Sequence, residues 1–177
     1  MTNVTDEVRV HFLAKSYRVA CEHLPLSPPR RRWTQPSDQA KLPGMDTNDR
    51  AGFVAAIPFA SALGIEVDEV TPQRVTAAMS WAEERCTTGG ILHGGALMAF
   101  ADTIGAVCAV ANLPPRAGTA TIESKTNFFR AVRSGVVTAT SEPLHVGRTT
   151  IVVQTNLTDD RGKLVAQVTQ TQAVLTE

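Results

Sequence analysis

Cysteine and net charge are both scarce in this chain of 177 residues. The three cysteines, Cys21, Cys86 and Cys108, form no C-x-x-C pair, which excludes a disulfide framework or a cysteine-rich zinc module and predicts a reducing, cytoplasmic compartment. Lys and Arg number 17 together, as do Asp and Glu, so the formal net charge is zero. Because a neutral chain lacks the basic surface that attracts nucleic acid or an anionic membrane, we expect a small molecule or another protein as its partner.

Only one apolar run, from Ile91 to Leu113, reaches the ~20 residues that a transmembrane helix needs. Asp102 lies in its middle, where a charge costs roughly 2.5–3.5 kcal/mol to insert, and its early His93-Gly94-Gly95 stretch is poor membrane-helix sequence. We therefore predict a buried helix of a soluble domain and no membrane span. The first ten residues contain three charged side chains and do not predict a signal peptide.

The first 50 residues differ in composition from the rest, because they hold five of the ten prolines but a single glycine. Apolar residues recur at helical spacing from Glu7 to Leu24, whereas the stretch from Pro28 to Arg32 suits neither a helix nor a strand. We predict that residues 1–50 are an extension, either a disordered tail or a helix that docks on the domain or on a partner. Residues 51–177 are predicted to form one domain.

Regular patterns begin after residue 50. A period of two through Val75, Ala77 and Met79 indicates a strand with one buried face, and turn residues separate the last four segments into a predicted β-meander. The predicted elements are a short helix at 53–63, strands at 65–70 and 74–81, a long helix at 94–112, and strands at 119–129, 136–142, 149–158 and 164–175. One buried helix against one antiparallel sheet is an α+β architecture.

Asp102 is the only charged side chain between Arg85 and Arg116. Because an ionised carboxylate is costly to bury, we expect its pKa to be raised. Proteins keep such groups where they are paired or where they do chemistry, so Asp102 is a candidate catalytic residue. The structural alternative is an Asp that faces a polar gap or caps a neighbouring loop.

His93, Gly94 and Gly95 open the same predicted helix. The first turn of a helix has free N–H groups and a partial positive charge, and glycines let a ligand atom approach those groups closely. This arrangement can form an oxyanion hole or an anion site, although a tight turn has the same sequence. His93 on its own is more often a structural hydrogen-bonding residue than a base.

The spacing of Gly94 and Asp102 constrains any site that uses both. Eight helical residues separate them by about 12 Å along the axis, whereas reacting atoms must approach to about 3–3.5 Å. If both serve one site, Asp102 must come from a second subunit whose helix runs antiparallel. A functional interpretation therefore predicts a two-fold dimer with composite sites.

The combination of motifs resembles the hot-dog-fold acyl-CoA thioesterases, above all the phenylacetate-pathway and 4-hydroxybenzoyl-CoA types that carry an H-G-G motif. The resemblance covers about residues 53–175. It rests on His93-Gly94-Gly95, on Asp102-Thr103, on the strand from Thr119 to Arg130 and on the run from His145 to Thr149. It implies a sheet wrapped around one long helix, dimerisation through edge strands, often into a dimer of dimers, and hydrolysis of a CoA thioester without a cofactor.

The resemblance also implies roles for single residues. Asp102, nine positions after His93, corresponds to the nucleophile or general base, and the Gly94 amide to the donor that polarises the thioester carbonyl. Six residues before the motif His many relatives carry Asn or Gln, and this chain has Thr87 instead. The later strand position that often bears Ser or Thr is Thr121.

Substrate contacts are predicted around this centre. Gly95, beside the implied carbonyl donor, is one candidate. CoA phosphates need cations near the mouth of the site, and the candidates, each of which could equally be a solvated charge, are Lys125, Arg130, Arg133 and Arg148. Arg130 precedes Ala131, where relatives often have Pro. The helix residues predicted to line the acyl pocket are Leu97, Met98, Ala101, Gly105 and Ala106.

Other chemistries find little support in the sequence. There is no G-x-S-x-G elbow, no paired histidine spacing for a metal and no glycine-rich nucleotide loop, so no metal or nucleotide cofactor is predicted. The competing function is a non-catalytic acyl-CoA-binding domain that acts as a sensor or regulator. A dehydratase on the same fold is a weaker third, because no hydratase-type Asp/His pairing is present. Intact Asp102 and Gly94 favour the enzyme.

Overall fold

The computed structural model describes residues 56–176. The predicted extension 1–50 and residues 53–55 of the predicted first helix lie outside the described residues. The described helices and strands, in chain order, are α1 (Pro58–Ala62), β1 (Ile65–Val70), β2 (Val75–Ser80), β3 (Cys86–Thr87), β4 (Ile91–Leu92), α2 (Gly94–Val110), β5 (Gly118–Phe128), β6 (Val136–Val146), β7 (Thr150–Thr158) and β8 (Leu164–Leu175). A 3₁₀ turn, Glu83–Arg85, precedes β3.

Six strands form one antiparallel sheet in the order β1-β2-β6-β7-β8-β5, and β3 and β4 pair separately. Helix α2 lies across one face of this sheet and contacts all six strands. The predicted α+β fold, an antiparallel sheet wrapped around one long helix, is confirmed.

The core lies between α2 and the sheet. Val75, Ala77 and Met79 of β2 are fully buried, as their period of two predicts. Phe100 and Ile104 of α2 are also fully buried. Because α2 is apolar on most sides, it is stable only where neighbouring elements cover it, and the sheet provides that cover.

Both ends of α2 have side-chain capping contacts. His93 is the N-cap in extended backbone, and at the other end the Asn112 side-chain amide donates to the main-chain oxygens of Pro72 and Cys108, both at 2.8 Å. The helix ends at Val110, two residues before the predicted end. Among residues 56–176, no helix combines the length and apolarity that crossing a membrane requires.

The predicted β-meander is wrong at its first strand. β5 does not pair with β6: it lies at the edge of the sheet beside β8, while β6 pairs with β2. The physical reason is that α2 precedes β5 and spans the sheet, so the chain re-enters at the edge opposite β1. Turn residues between consecutive strands carry no information about that crossing.

Strand β6 runs four residues further than predicted, to Val146. A register shift between Pro143 and His145 accommodates the proline, which cannot donate to the ladder, so His145 belongs to the strand and not to the predicted turn. The short β3–β4 pair is absent from the predicted elements, because two residues per strand carry no periodic signal.

Candidate active site

The first turn of α2 leaves one backbone donor free. His93 Nδ1 accepts the Gly95 N–H at 2.8 Å, and the His93 main-chain oxygen accepts the N–H groups of Ala96 and Leu97 at 2.9 and 3.2 Å. Within residues 56–176, no group accepts the Gly94 N–H. This donor lies at the positive end of a 17-residue helix and is available to an external acceptor.

The capping contact gives His93 a structural part in the site. Its Nδ1 is occupied by the Gly95 N–H, and its own N–H donates to the main-chain oxygen of Arg85 at 2.9 Å. The residue therefore fixes where α2 begins and where the Gly94 N–H points. A further role of His93 in catalysis stays a prediction.

The ring of Phe128, the last residue of β5, lies against Gly94. A Cβ placed on Gly94 would lie 3.2 Å from Phe128 Cζ, so a larger residue there would push the ring. The Phe128 side chain is half-exposed (50%), and the free N–H therefore opens beside an apolar surface. Phe128 is not among the site residues predicted from the sequence. The available signal is the pair of adjacent aromatic residues, Phe128 and Phe129, because adjacent strand residues point to opposite faces and one of the two faces the helix side of the sheet.

Asp102 lies about two turns further along α2 and is half-buried. Gln170 Nε2 is 3.3 Å from Asp102 Oδ1 and 3.3 Å from the Asp102 main-chain oxygen. Burial raises the pKa of the Asp102 carboxyl, and a hydrogen bond from the Thr121 side chain opposes this by lowering the pKa. The raised pKa expected from the sequence is confirmed, and desolvation is its main cause.

Two buried glutamines of β8, Gln170 and Gln172, lie behind this carboxylate, each 1% exposed. Gln172 Nε2 donates to Thr121 Oγ1 at 2.7 Å, and the Thr119 hydroxyl donates to Gln172 Oε1 at 3.0 Å. Thr121 is among the site residues predicted from the sequence, and the two glutamines are not. In a strand that alternates polar and apolar residues, they resemble the members of a solvated face.

Two residues predicted from the sequence, Thr87 and Arg133, belong to the short β3–β4 pair and to its turn contact. Thr87 is exposed and pairs with Ile91. Arg133 Nη1 donates to the main-chain oxygen of Gly89 at 3.0 Å, which holds the turn between the two strands. Arg133 therefore has a structural role in this turn, and its predicted contact with a CoA phosphate stays a prediction.

The other predicted cations, Lys125, Arg130 and Arg148, are exposed on β5, after β5 and between β6 and β7. Their predicted contacts with CoA phosphates stay predictions. Among the described residues, no group of three or more His, Cys, Asp or Glu side chains is placed to hold a metal ion.

The helix residues predicted to line an acyl pocket are divided between the core and the surface. Leu97 and Ala101 are buried in the core, and Gly105 packs against Gln170. Met98, by contrast, is 41% exposed. Of these residues, Met98 has the most surface to offer an acyl group.

Fold and site together define a class of protein. A sheet wrapped around one long helix, a free N–H at the start of that helix and a half-buried acid in its middle are the features that the hot-dog thioesterase resemblance implies. The family model described as "Thioesterase superfamily" matches residues 89–166 of the chain.

Individual relatives agree with that match. A Bacillus subtilis protein named "Putative esterase ComA2" is 37% identical over 116 residues, which are 64% of this chain and 91% of that protein. The 1,4-dihydroxy-2-naphthoyl-CoA hydrolase of Listeria monocytogenes is 29% identical over 103 residues, 58% of this chain and 84% of its own. The crystal structure of thioesterase HI1161 from Haemophilus influenzae, 27% identical, has a TM-score of 0.69 and covers 75% of this chain and 92% of that one.

This chain belongs to the thioesterase superfamily and has its hot-dog fold. The reaction class that the family defines is thioester hydrolysis.

Proposed function

We propose that this protein hydrolyses an acyl-CoA thioester to the free acid and CoA. The Gly94 N–H is the hydrogen-bond donor to the thioester carbonyl, and the Asp102 carboxylate is the nucleophile or general base. The observation that carries the proposal is the Gly94 N–H, which alone in the first turn of α2 has no acceptor within residues 56–176. Membership of the thioesterase superfamily and the half-buried Asp102 support it.

The Gly94 N–H suits the chemistry at the carbonyl oxygen. When a thioester carbonyl is attacked, negative charge develops on its oxygen, and a preorganised N–H at a helix N-terminus stabilises that charge. Loss of one such donor in other enzymes costs about 2.7–4 kcal/mol. His93 holds the donor in place by capping the helix.

Asp102 acts in one of two ways. As a nucleophile, a carboxylate oxygen bonds to the carbonyl carbon, CoA leaves as its thiolate, and water then splits the resulting anhydride. As a general base, the carboxylate takes a proton from a water whose oxygen attacks the carbonyl. Both routes need the ionised carboxylate, and CoA thiolate is a good enough leaving group that a strong general acid is not essential.

The proposed active unit is a dimer, because Gly94 and Asp102 are about 12 Å apart on one continuous helix. Within residues 56–176, edge strand β5 has a partner on one side only, β8, so its other side presents backbone groups without a partner in this part of the chain. Antiparallel pairing of two β5 strands would continue the sheet and set the two α2 helices antiparallel. Each site would then combine Gly94 of one subunit with Asp102 of the other.

Substrate contacts complete the proposal. Gly95 and Phe128 border the carbonyl position, and Thr87, Thr121 and Met98 are assigned to the surroundings of the acyl group and the attacking atom. Arg130 and Arg148 are assigned to the CoA phosphates, because both guanidinium groups are exposed.

A thiol-release assay across a panel of acyl-CoA thioesters tests this function. The panel contains acetyl-, hexanoyl-, palmitoyl-, phenylacetyl- and benzoyl-CoA, together with 1,4-dihydroxy-2-naphthoyl-CoA, the substrate in the name of the Listeria relative. We expect enzyme-dependent release of CoA from at least one member. Binding of acyl-CoA without any release would contradict hydrolysis and favour the sensor.

A further inference from the structure

We propose that Gln170 and Gln172, the two buried glutamines of β8, are positioning residues that hold the Asp102 carboxylate from two sides. This inference rests on the function proposed above. Neither glutamine is assigned a contact with substrate; both are assigned to the orientation and ionisation of the acid.

The first of the two interactions, called the first arm below, is the direct contact between Gln170 and Asp102. Gln170 Nε2 lies 3.3 Å from both the main-chain oxygen and Oδ1 of Asp102. A main-chain oxygen is an acceptor at every pH, so it fixes the nitrogen end of the Gln170 amide toward Asp102. The same nitrogen therefore donates to the carboxylate. Both contacts are at the long end of the hydrogen-bond range, as is common for catalytic groups without substrate.

This orientation of the Gln170 amide leaves its oxygen in an unfavourable environment. Gln170 Oε1 is buried and has no hydrogen-bond partner within residues 56–176. A Cβ on Gly105 would collide with this oxygen, so the amide fits only because position 105 has no side chain. A buried acceptor without a partner is destabilising, and a functional role accounts for its presence here.

Gln172 forms the second arm, which reaches Asp102 through Thr121. The Thr119 hydroxyl lies 3.0 Å from Gln172 Oε1 and 2.9 Å from the Ala173 main-chain oxygen, which share its one proton, and the Gln172 amide nitrogen faces Thr121. Gln172 Nε2 then donates to Thr121 Oγ1 at 2.7 Å. Because that oxygen is occupied as an acceptor, the Thr121 hydroxyl proton is free to point to Asp102, to which Thr121 hydrogen-bonds.

No charge competes with these two arms. Strand β8 carries no charged residue from Leu164 to Leu175. Within residues 56–176, the causes of the raised pKa of Asp102 include no charged group, neither Cys108 on α2 nor Glu123 and Lys125 on β5. The Thr121 hydroxyl is therefore the donor that offsets desolvation. Gln170 is assigned the same effect on the ionised form because its amide nitrogen faces the carboxylate at 3.3 Å.

Carboxyl titration by NMR tests the inference without a substrate. In protein labelled with ¹³C at the Asp carboxyls, the Asp102 signal is assigned by its absence in Asp102→Asn. Because each arm stabilises the ionised form, Gln170→Leu is expected to raise the pKa of Asp102 by about 0.5 to 1 pH unit, and Gln172→Leu by less. The matched control is Gln167→Leu, which removes a 2.9 Å hydrogen bond to Asn156 on the outer face of the same strand.

Turnover provides the second readout, measured on the panel member with the highest kcat/KM. We expect kcat to fall about 3- to 10-fold in Gln170→Leu and Gln172→Leu with KM unchanged, and the acid limb of the pH profile to move to higher pH. If Gln170→Leu does not fold, Gln170→Glu keeps the shape and replaces the donor by an acceptor, so the pKa of Asp102 should rise further.

The outcomes separate this inference from the proposed function. If no acyl-CoA of the panel is hydrolysed, the proposed function fails; if Asp102→Asn turns over at the wild-type rate, the catalytic role of Asp102 fails and the positioning role with it. If Asp102→Asn is inactive while both glutamine variants match Gln167→Leu in pKa and kcat, only the positioning role is overturned.

Discussion

At the scale of single residues, the site contains a carboxylate that accepts hydrogen bonds and a backbone N–H that has no acceptor within residues 56–176. The Asp102 carboxylate receives hydrogen bonds from the Gln170 amide and the Thr121 hydroxyl, while the Gly94 N–H has nothing to donate to within residues 56–176. A substrate carbonyl would supply the missing acceptor, and its carbon would be the target of the acid group. The chemistry of each residue can be tested separately.

Asp102→Asn keeps the size of the side chain and removes its charge and basicity. We expect a loss of kcat of about 100-fold or more, because general-base catalysis contributes about 10²–10⁴-fold, while the fold stays intact. Thiol release measures the rate, and circular dichroism checks the fold. Turnover within a few-fold of wild type would show that Asp102 is not the acid group.

The same variant has an expected effect on stability. Burial raises the pKa of Asp102 above its ordinary 3.8, so the folded chain binds this proton more tightly than the unfolded chain. Its favourable contribution is fully present below pH 3.8 and is lost as the pH rises through the folded-state pKa. Asp102→Asn should therefore have a higher Tm than wild type at pH 7, and the difference should shrink toward pH 4. A lower Tm at pH 7, at equal protein concentration, would contradict the dominance of desolvation.

His93→Ala separates capping from catalysis. Loss of the contact from Nδ1 to the Gly95 N–H should cost about 1 kcal/mol of stability and loosen the Gly94 donor. His93→Asn also has a side-chain acceptor for the cap and should recover most of both stability and kcat. Urea unfolding and thiol release provide the measurements. A cap restored in His93→Asn without any recovery of activity would instead assign the imidazole a catalytic role.

At the scale of elements, the exposed edge of β5 is the feature that the proposed dimer requires. Ile122 lies on this strand and is 62% exposed, next to a register shift between Thr121 and Glu123. A long edge strand with free backbone groups and an exposed apolar side chain favours pairing with another strand. The proposed pairing of two β5 strands would form hydrogen bonds with these backbone groups and would bury the Ile122 side chain.

Ile122→Lys tests this edge. A lysine at the centre of a strand-to-strand interface should disfavour pairing, since charged edge residues oppose strand addition. We expect a shift from dimer to monomer in light scattering and a parallel loss of turnover. Leu144→Lys is the matched control, because Leu144 is 57% exposed but lies on β6, which β7 and β8 separate from β5. A dimeric, fully active Ile122→Lys protein would rule out this interface.

At the scale of the whole molecule, the composite site makes a prediction for mixed dimers. Gly94→Val should block the carbonyl position and displace Phe128, and Asp102→Asn removes the acid, so each variant alone should be inactive. In a heterodimer, one site takes both changes and the other takes neither. Refolding the two together should restore activity up to about half per heterodimer, if the two sites act independently.

Native mass spectrometry of the mixture shows whether heterodimers have formed. If they are present and thiol release does not recover, Gly94 and Asp102 do not act across a two-fold interface. Recovery in proportion to the heterodimer fraction would support the shared site.

Local sequence determined much of this protein. The strand bounds 65–70 and 164–175 were predicted to the residue, because alternation and flanking turn residues are local signals. The long helix, its start at Gly94 and the raised pKa of Asp102 were also predicted. A helix that is apolar on most sides must be covered by other elements, so a carboxyl in its middle is expected to be partly desolvated whatever those elements are.

Tertiary structure alone decided the rest. β5 pairs with β8 and not with β6, because the path of α2 across the sheet sets where the chain re-enters. The partners of the site residues, Gln170, Gln172 and Phe128, are far from them in sequence, and no periodic pattern distinguishes a glutamine that faces a carboxylate from one that faces water. Hydrogen bonds between distant residues depend on register and on which face of a strand meets the helix, and only the packed sheet sets both.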